Sequence, residues 1–116
     1  MLAFAACVLL TCSVRAEGTV ARDAILADPE AVSRGAATFA RNCAICHGKD
    51  GSGGRVAPLQ NRKFEADYLY TTITKGRRRG SFIMPPWENS LPEDKRRELV
   101  RYILSLSPDP GENSNE

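Results

Sequence analysis

The sequence predicts a small all-α domain of about three helices joined by loops. Three observations carry that expectation. Apolar residues recur at spacings of three and four over three separate stretches, each bounded by residues that start or stop helices. Runs of β-branched residues suited to strands are missing. The segment Cys43-Ala44-Ile45-Cys46-His47 sets two thiols and an imidazole side by side. Cys-x-x-Cys-His is the attachment signature of c-type haem, so the helices are expected to wrap around one covalent haem. The chain has 116 residues, which suits a single small domain.

The elements follow in order. Residues 1–16 read as a secretory leader, an apolar run ending in the small-residue cleavage site Val14-Arg15-Ala16. No Lys or Arg follows Met1 before Arg15, a departure from the usual basic start. The apolar run ends near Val14, too short to span a membrane, so no transmembrane segment is expected in the mature chain. An alternative is lipid anchoring through Cys12, after Leu9-Leu10-Thr11. Residues 17–27 are polar and alanine-rich and read as a flexible arm, and the domain proper is expected over 28–107.

Asp28-Pro29 is an N-cap followed by proline in the first turn, opening a helix that ends near Asn42, with Val32, Ala36 and Phe39 on its apolar face. The glycine-rich stretch Gly48–Gly54 lacks the G-x-x-x-x-G-K-[ST] pattern and a preceding strand, so it reads as a flexible surface loop rather than a phosphate cradle. Ala66–Lys75 predicts a short helix with Tyr68, Leu69 and Ile73 on its apolar face and Gly76 as its stop. The last helix is expected from a capping box, Ser90-x-x-Glu93, with Leu99, Tyr102, Ile103 and Leu106 as its stripe. Pro108-Asp109-Pro110-Gly111 stops it, and residues 108–116 read as a disordered tail.

His47 is the sole histidine, so a haem ligated through histidine must use it. A structural zinc site wants four ligands, and no Cys or His follows His47. A thioredoxin-like dithiol expects a βαβ context. The second axial ligand is reached by elimination. Apart from Met1, the one methionine is Met84, in Phe82-Ile83-Met84-Pro85-Pro86-Trp87. Two prolines fix φ after it and stiffen the segment, as a weak thioether ligand requires. His/Met ligation is the arrangement of electron-transfer cytochromes c.

In these features the chain resembles the class I monohaem c-type cytochromes of bacteria, over about Asp28 to Leu106. The likeness rests on Gly35 and Phe39 ahead of Cys43-Ala44-Ile45-Cys46-His47-Gly48, then Pro58-Leu59, Met84-Pro85 and a final helix with Tyr102. It implies the small cytochrome c fold, with first and last helices crossing at Gly35, Phe39 and Tyr102. It also implies that Cys43 and Cys46 hold one haem c, that His47 and Met84 bind its iron, and that the Pro58 carbonyl accepts a hydrogen bond from His47.

With both axial positions filled, the expected work is one-electron transfer rather than catalysis. Redox proteins in a respiratory chain (a dehydrogenase or quinol-oxidising complex on one side, an oxidase or reductase on the other) are the implied partners. Whether the chain is a free carrier or a bound subunit of such a complex stays open at this stage. Its net charge is +2, too small for a nucleic-acid-binding domain. The charge is uneven, however: Arg77-Arg78-Arg79 stands beside the Met84 loop and suits a docking patch, whereas Lys95-Arg96-Arg97 reads as solvated helix surface. Leader and haem together predict a periplasmic location.

Overall fold

A computed structural model describes residues 25–107. The expected leader, most of the expected arm and the expected tail lie outside the described residues. Among the described residues, after two helical residues at 25 and 26, four helices and one two-stranded sheet follow in order. They are α1 (Pro29–Asn42), α2 (Ala44–His47), a 3-10 turn (Lys49–Gly51), α3 (Ala66–Lys75), β1 (Arg77–Arg79), β2 (Phe82–Met84) and α4 (Glu93–Ser105).

Helix α1 begins as the sequence predicts. The Asp28 carboxylate accepts the Ala31 N–H at 3.1 Å, and Pro29 occupies the first turn. Ala31, Gly35, Thr38 and Phe39 are its buried residues, with Val32 and Ala36 packed at the margin of the core. Its partner is α4, and Gly35 lets the two meet. A Cβ on Gly35 would lie 2.1 Å from the Glu98 carbonyl oxygen and 2.9 Å from the Tyr102 Cβ. The Phe39 and Tyr102 rings follow at 5.2 Å between centroids and 58° between planes, a tilted aromatic pair. The helix crossing implied by Gly35, Phe39 and Tyr102 is therefore formed. Leu69 and Ile73 of α3 join Phe39, Leu99, Val100, Tyr102, Ile103 and Leu104 in one core.

Four expectations are corrected. Helix α4 starts at Glu93, not Ser90. Pro92 (φ −56, ψ 158) sits at its N-cap without a side-chain hydrogen bond, because proline keeps the preceding Leu91 out of the helical region. Ser90 and Leu91 instead donate their N–H groups to the Trp87 carbonyl, at 3.1 and 2.9 Å. Tyr68 is 45 % exposed and not part of the buried face of α3; Thr74 takes that place. The last residues of the presumed arm, Ile25 and Leu26, are helical and pack against the core, and the Ile25 carbonyl accepts Arg101 Nη1. The 77–84 segment is a hairpin, Arg77 opposite Met84, Arg78 opposite Ile83 and Arg79 opposite Phe82. Its two-residue turn is Gly80-Ser81, with Gly80 at φ +60.

Candidate haem-attachment site

The two thiols and the imidazole come together through local helix geometry alone. The Cys43 N–H closes α1 on the Phe39 carbonyl at 2.8 Å, and α2 then turns back over Cys43, whose carbonyl accepts the N–H of His47 at 3.0 Å. Cys43, Cys46 and His47 are all half-buried on this single turn, and both thiols are free. The Phe39 ring, part of the α1–α4 crossing, lies 6.2 Å from the imidazole, centroid to centroid.

The glycine-rich stretch that follows is not the loose loop expected from composition. The Gly53 N–H donates to the His47 carbonyl at 2.8 Å, the Val56 N–H to the Cys46 carbonyl at 3.3 Å, and the Leu59 N–H to the Gly51 carbonyl at 2.8 Å. Gly48, at φ +78, takes a left-handed conformation, and a Cβ there would stand 2.1 Å from the Gly53 carbonyl oxygen. The segment therefore folds back over the C-terminal end of the Cys43–His47 turn and locks it. The Tyr102 hydroxyl donates to the Asp50 carboxylate at 3.2 Å, joining this fold-back to α4. Burial, then the Asp50 charge and hydrogen bond, push the Tyr102 hydroxyl up to about 12.

Burial also sets the electrostatics of the motif. It pushes the Cys43 thiol up to about 11, with the neighbouring Cys46 adding to the effect, and it lowers the imidazole of His47 below its ordinary value. A redox dithiol works through a thiolate whose pKa is depressed; Cys43 has the opposite environment. Buried His47 Nδ1 has no hydrogen-bond partner, so the bond expected to the Pro58 carbonyl is not formed in this structure. Pro58 packs one step away: a Cβ on Gly53 would lie 3.0 Å from its ring. A buried imidazole nitrogen without a protein partner is costly alone. Two free thiols and an imidazole on one half-buried turn are the donor set that a covalently attached haem requires.

Met84 arrives from β2 and is half-buried. It packs against the margin of the same core as Cys43, Ala44 and Leu59. Gly76 at the end of α3 makes room for it: a Cβ there would stand 2.5 Å from the Met84 carbonyl oxygen. Two features of the surroundings bear on the site. Ile45, Phe82 and Ile83 are 75 %, 58 % and 60 % exposed, an apolar surface beside the motif and on the hairpin. Lys95, Arg96 and Arg97 are not free solvated charges. Lys95 meets Glu98 at 3.2 Å and Arg97 meets Glu93 at 2.7 Å, while Arg96 donates to Thr74 Oγ1 at 2.6 Å. The i+3 and i−4 spacings of Glu98 and Glu93 were the signal in the sequence for the two ion pairs.

Comparison with known proteins shows the family and the fold. A family model described as cytochrome c oxidase, cbb3-type, subunit III matches residues 30–103. The cbb3-type cytochrome c oxidase subunit FixP of Sinorhizobium medicae is 35 % identical over 107 residues, covering 76 % of this chain and 36 % of the relative. Subunit CcoP of Rubrivivax gelatinosus is 37 % identical over 95 residues, covering 76 % and 30 %. The chain thus spans about a third of the length of these curated relatives. Among solved structures, cytochrome CL of Methylophaga aminisulfidivorans superposes with a TM-score of 0.60 at 21 % identity, over 86 % of this chain and 72 % of that one. That likeness is one of fold: the small helical cytochrome c fold.

Proposed function

The chain belongs to the cytochrome c family, as a domain of the cbb3-type subunit III kind, and on that premise we propose that it is a one-electron carrier holding one haem c. The observation that supports this most is the single helical turn bearing Cys43, Cys46 and His47, with both thiols free and all three residues half-buried. Cys43 and Cys46 would hold the haem as thioethers, and His47 and Met84 would ligate its iron. Bound there, the group supplies an iron that cycles between Fe(II) and Fe(III). The chain's own residues do the rest. The Phe39 ring and the 48–54 fold-back keep the imidazole in place, and the half-buried site limits the reorganisation of water around a changing charge. Two protein ligands leave no position for substrate, so the domain transfers electrons and does not turn substrate over.

Partners are redox proteins, an oxidase, a reductase or a dehydrogenase. The docking surface we assign is the hairpin, where Arg77, Arg78 and Arg79 flank the exposed Phe82 and Ile83. Relatives named as oxidase subunits favour a second form of the reading, in which the domain works inside such a complex; size-exclusion of the native protein separates the two. We take the compartment to be periplasmic, from the expected leader over residues 1–16, with lipid anchoring through Cys12 as its alternative. No helix among the described residues is long and apolar enough to cross a membrane.

The experiment that tests the central claim is acid–acetone extraction of the native protein. Haem should stay on the polypeptide, and the denatured chain should carry haem mass with Cys43 and Cys46 unreactive to thiol reagents. Extractable haem, or zinc in its place, defeats the proposal.

A further inference from the structure

Residues 85–92 form no helix or strand, yet the strap from Met84 to Leu91 is fastened at both ends to the same helix end. At its start, Gly76 lies against Met84 and Pro86 with no room for a side chain; a Cβ there would fall 2.5 Å from the Met84 carbonyl oxygen and 2.8 Å from the Pro86 nitrogen. Pro85 and Pro86 have no N–H to offer. The first backbone donor after Met84 is therefore Trp87, whose N–H reaches the Ile73 carbonyl at 3.0 Å; Glu88 follows, on the Thr74 carbonyl at 3.3 Å. Both acceptors are carbonyls of the last turn of α3, which helix geometry leaves without partners. Lys75 Nζ adds an ion pair to Glu88 at 2.8 Å.

At the far end of the strap Leu91 packs against the margin of the core, and one side chain ties its carbonyl to α3. Arg96 Nε donates to the Leu91 carbonyl at 3.1 Å, and Arg96 Nη1 donates to Thr74 Oγ1 at 2.6 Å. Its guanidinium also lies 5.3 Å from the centre of the Tyr70 ring. Thr74 is buried, and its own carbonyl is the one that holds Glu88. The planar fork of an arginine can serve two acceptors on different elements at once, which a lysine ammonium does less well. Arg96 thus joins α4, the end of α3 and the close of the strap.

We propose that Arg96 is a positioning residue for Met84: by tying Leu91 to Thr74 it closes the Met84–Leu91 strap on α3 and sets how readily Met84 yields its place to another ligand. The proposal rests on the reading of Met84 as axial ligand.

The test is titration of the ferric holoprotein with imidazole, followed by the shift of the haem absorption band. Arg96→Gln should bind imidazole about tenfold more tightly than wild type, which corresponds to about 1.4 kcal/mol, the net worth of a hydrogen bond. Thr74→Val cuts the same tie from the other end with little change of shape, and should move affinity several-fold the same way, so the test survives if Arg96→Gln misfolds. Arg97→Gln, which loses only the exposed pair with Glu93 and a contact with Tyr70, should match wild type. Met84→Ala is measured alongside. If wild type already binds imidazole as tightly as Met84→Ala, the ligand assignment itself fails. If Met84→Ala binds tightly but Arg96→Gln and Thr74→Val stay at the wild-type value, or Arg97→Gln shifts as much as they do, the ligand stands and the positioning role is overturned.

Discussion

Gly35→Ala sets two physical effects against each other, and the structure says which wins. Alanine is the better helix former, and inside α1 the exchange alone would stabilise by about 0.5–1 kcal/mol. Against this, the new Cβ would stand 2.1 Å from the Glu98 carbonyl oxygen, 2.7 Å from its carbon and 2.9 Å from the Tyr102 Cβ. Ordinary carbon contacts lie near 3.5 Å or beyond, so α1 and α4 must part by about 1 Å. The obstacle is the backbone of a packed helix, not the end of a flexible side chain, so the cost belongs to the upper part of the about 1–3 kcal/mol range for overpacking. Parting the helices also opens the Phe39–Tyr102 pair, a contact worth about 0.5–1.5 kcal/mol. The net loss is about 3 kcal/mol after the propensity gain, or a fall of about 12–24 °C in Tm for a domain of this size. Thermal unfolding of the holoprotein followed by far-ultraviolet circular dichroism reads it. Ala37→Gly, on the exposed side of the same helix, isolates the propensity effect at about 1 kcal/mol. A Gly35→Ala protein as stable as wild type, or more so, refutes the close crossing.

Two further predictions follow from the charges. Glu98 has its carboxyl pushed up by burial but pulled down further by the hydrogen bonds from Arg34 and Lys95, leaving it below its ordinary value. A carboxyl lowered by folding contributes stability that is fully present above its unfolded pKa, about 4.3, and is lost as pH falls through the folded value. Wild type should thus exceed Glu98→Gln in urea-unfolding stability at pH 7, with the gap closing on acidification below about pH 4; a gap independent of pH would mean that the ion pairs contribute nothing. Replacing Arg77, Arg78 and Arg79 together by Gln should leave the haem spectrum unchanged and slow reduction by the native donor at low salt. The difference should fade as ionic strength rises and the screening length shrinks toward about 8 Å; equal rates at every salt concentration would move docking to the apolar surface around Ile83.

What could be read from the sequence was what neighbouring residues decide among themselves. Asp28-Pro29 opens α1 because a short carboxylate reaches an N–H three residues on and proline costs nothing in the first turn. Gly76 ends α3 because only glycine takes φ +74 without strain. The Cys43–His47 turn is equally local. The failures share a cause as well. Ser90 and Glu93 have the capping-box spacing, but Pro92 between them forbids the backbone that the box needs. The hairpin rests on a pairing of two three-residue strands, Arg77–Arg79 with Phe82–Met84, too short to show a period. The fold-back of Gly48–Gly54 depends on carbonyls of Cys46 and His47 that composition does not reveal. In the same way nothing in the chain between Met84 and Leu91 announces that Thr74 and Arg96 hold it.

The two basic runs show how structure divides what composition treats alike. Lys95-Arg96-Arg97 lies on a helix, where residues three and four apart are neighbours, and Glu98 and Glu93 stand at those spacings to take Lys95 and Arg97. Arg96, on a different side of the helix, reaches Thr74 and Leu91. Each cation of that run has a partner within the chain, the Arg97–Glu93 pair being an exposed one. Arg77-Arg78-Arg79 lies on a strand, where side chains alternate between faces and the residue opposite is the nearest neighbour. Those opposite are Met84, Ile83 and Phe82, which offer no negative charge. Arg77 donates to the Tyr68 hydroxyl, a neutral partner, and among the described residues none of the three arginines forms an ion pair. Three cations left uncompensated on one exposed edge, opposite two exposed apolar side chains, hold their field outward. The strand that bears them is paired with the one that carries Met84, so exchanging all three for Gln and reading the rate against ionic strength tests whether that edge receives a partner.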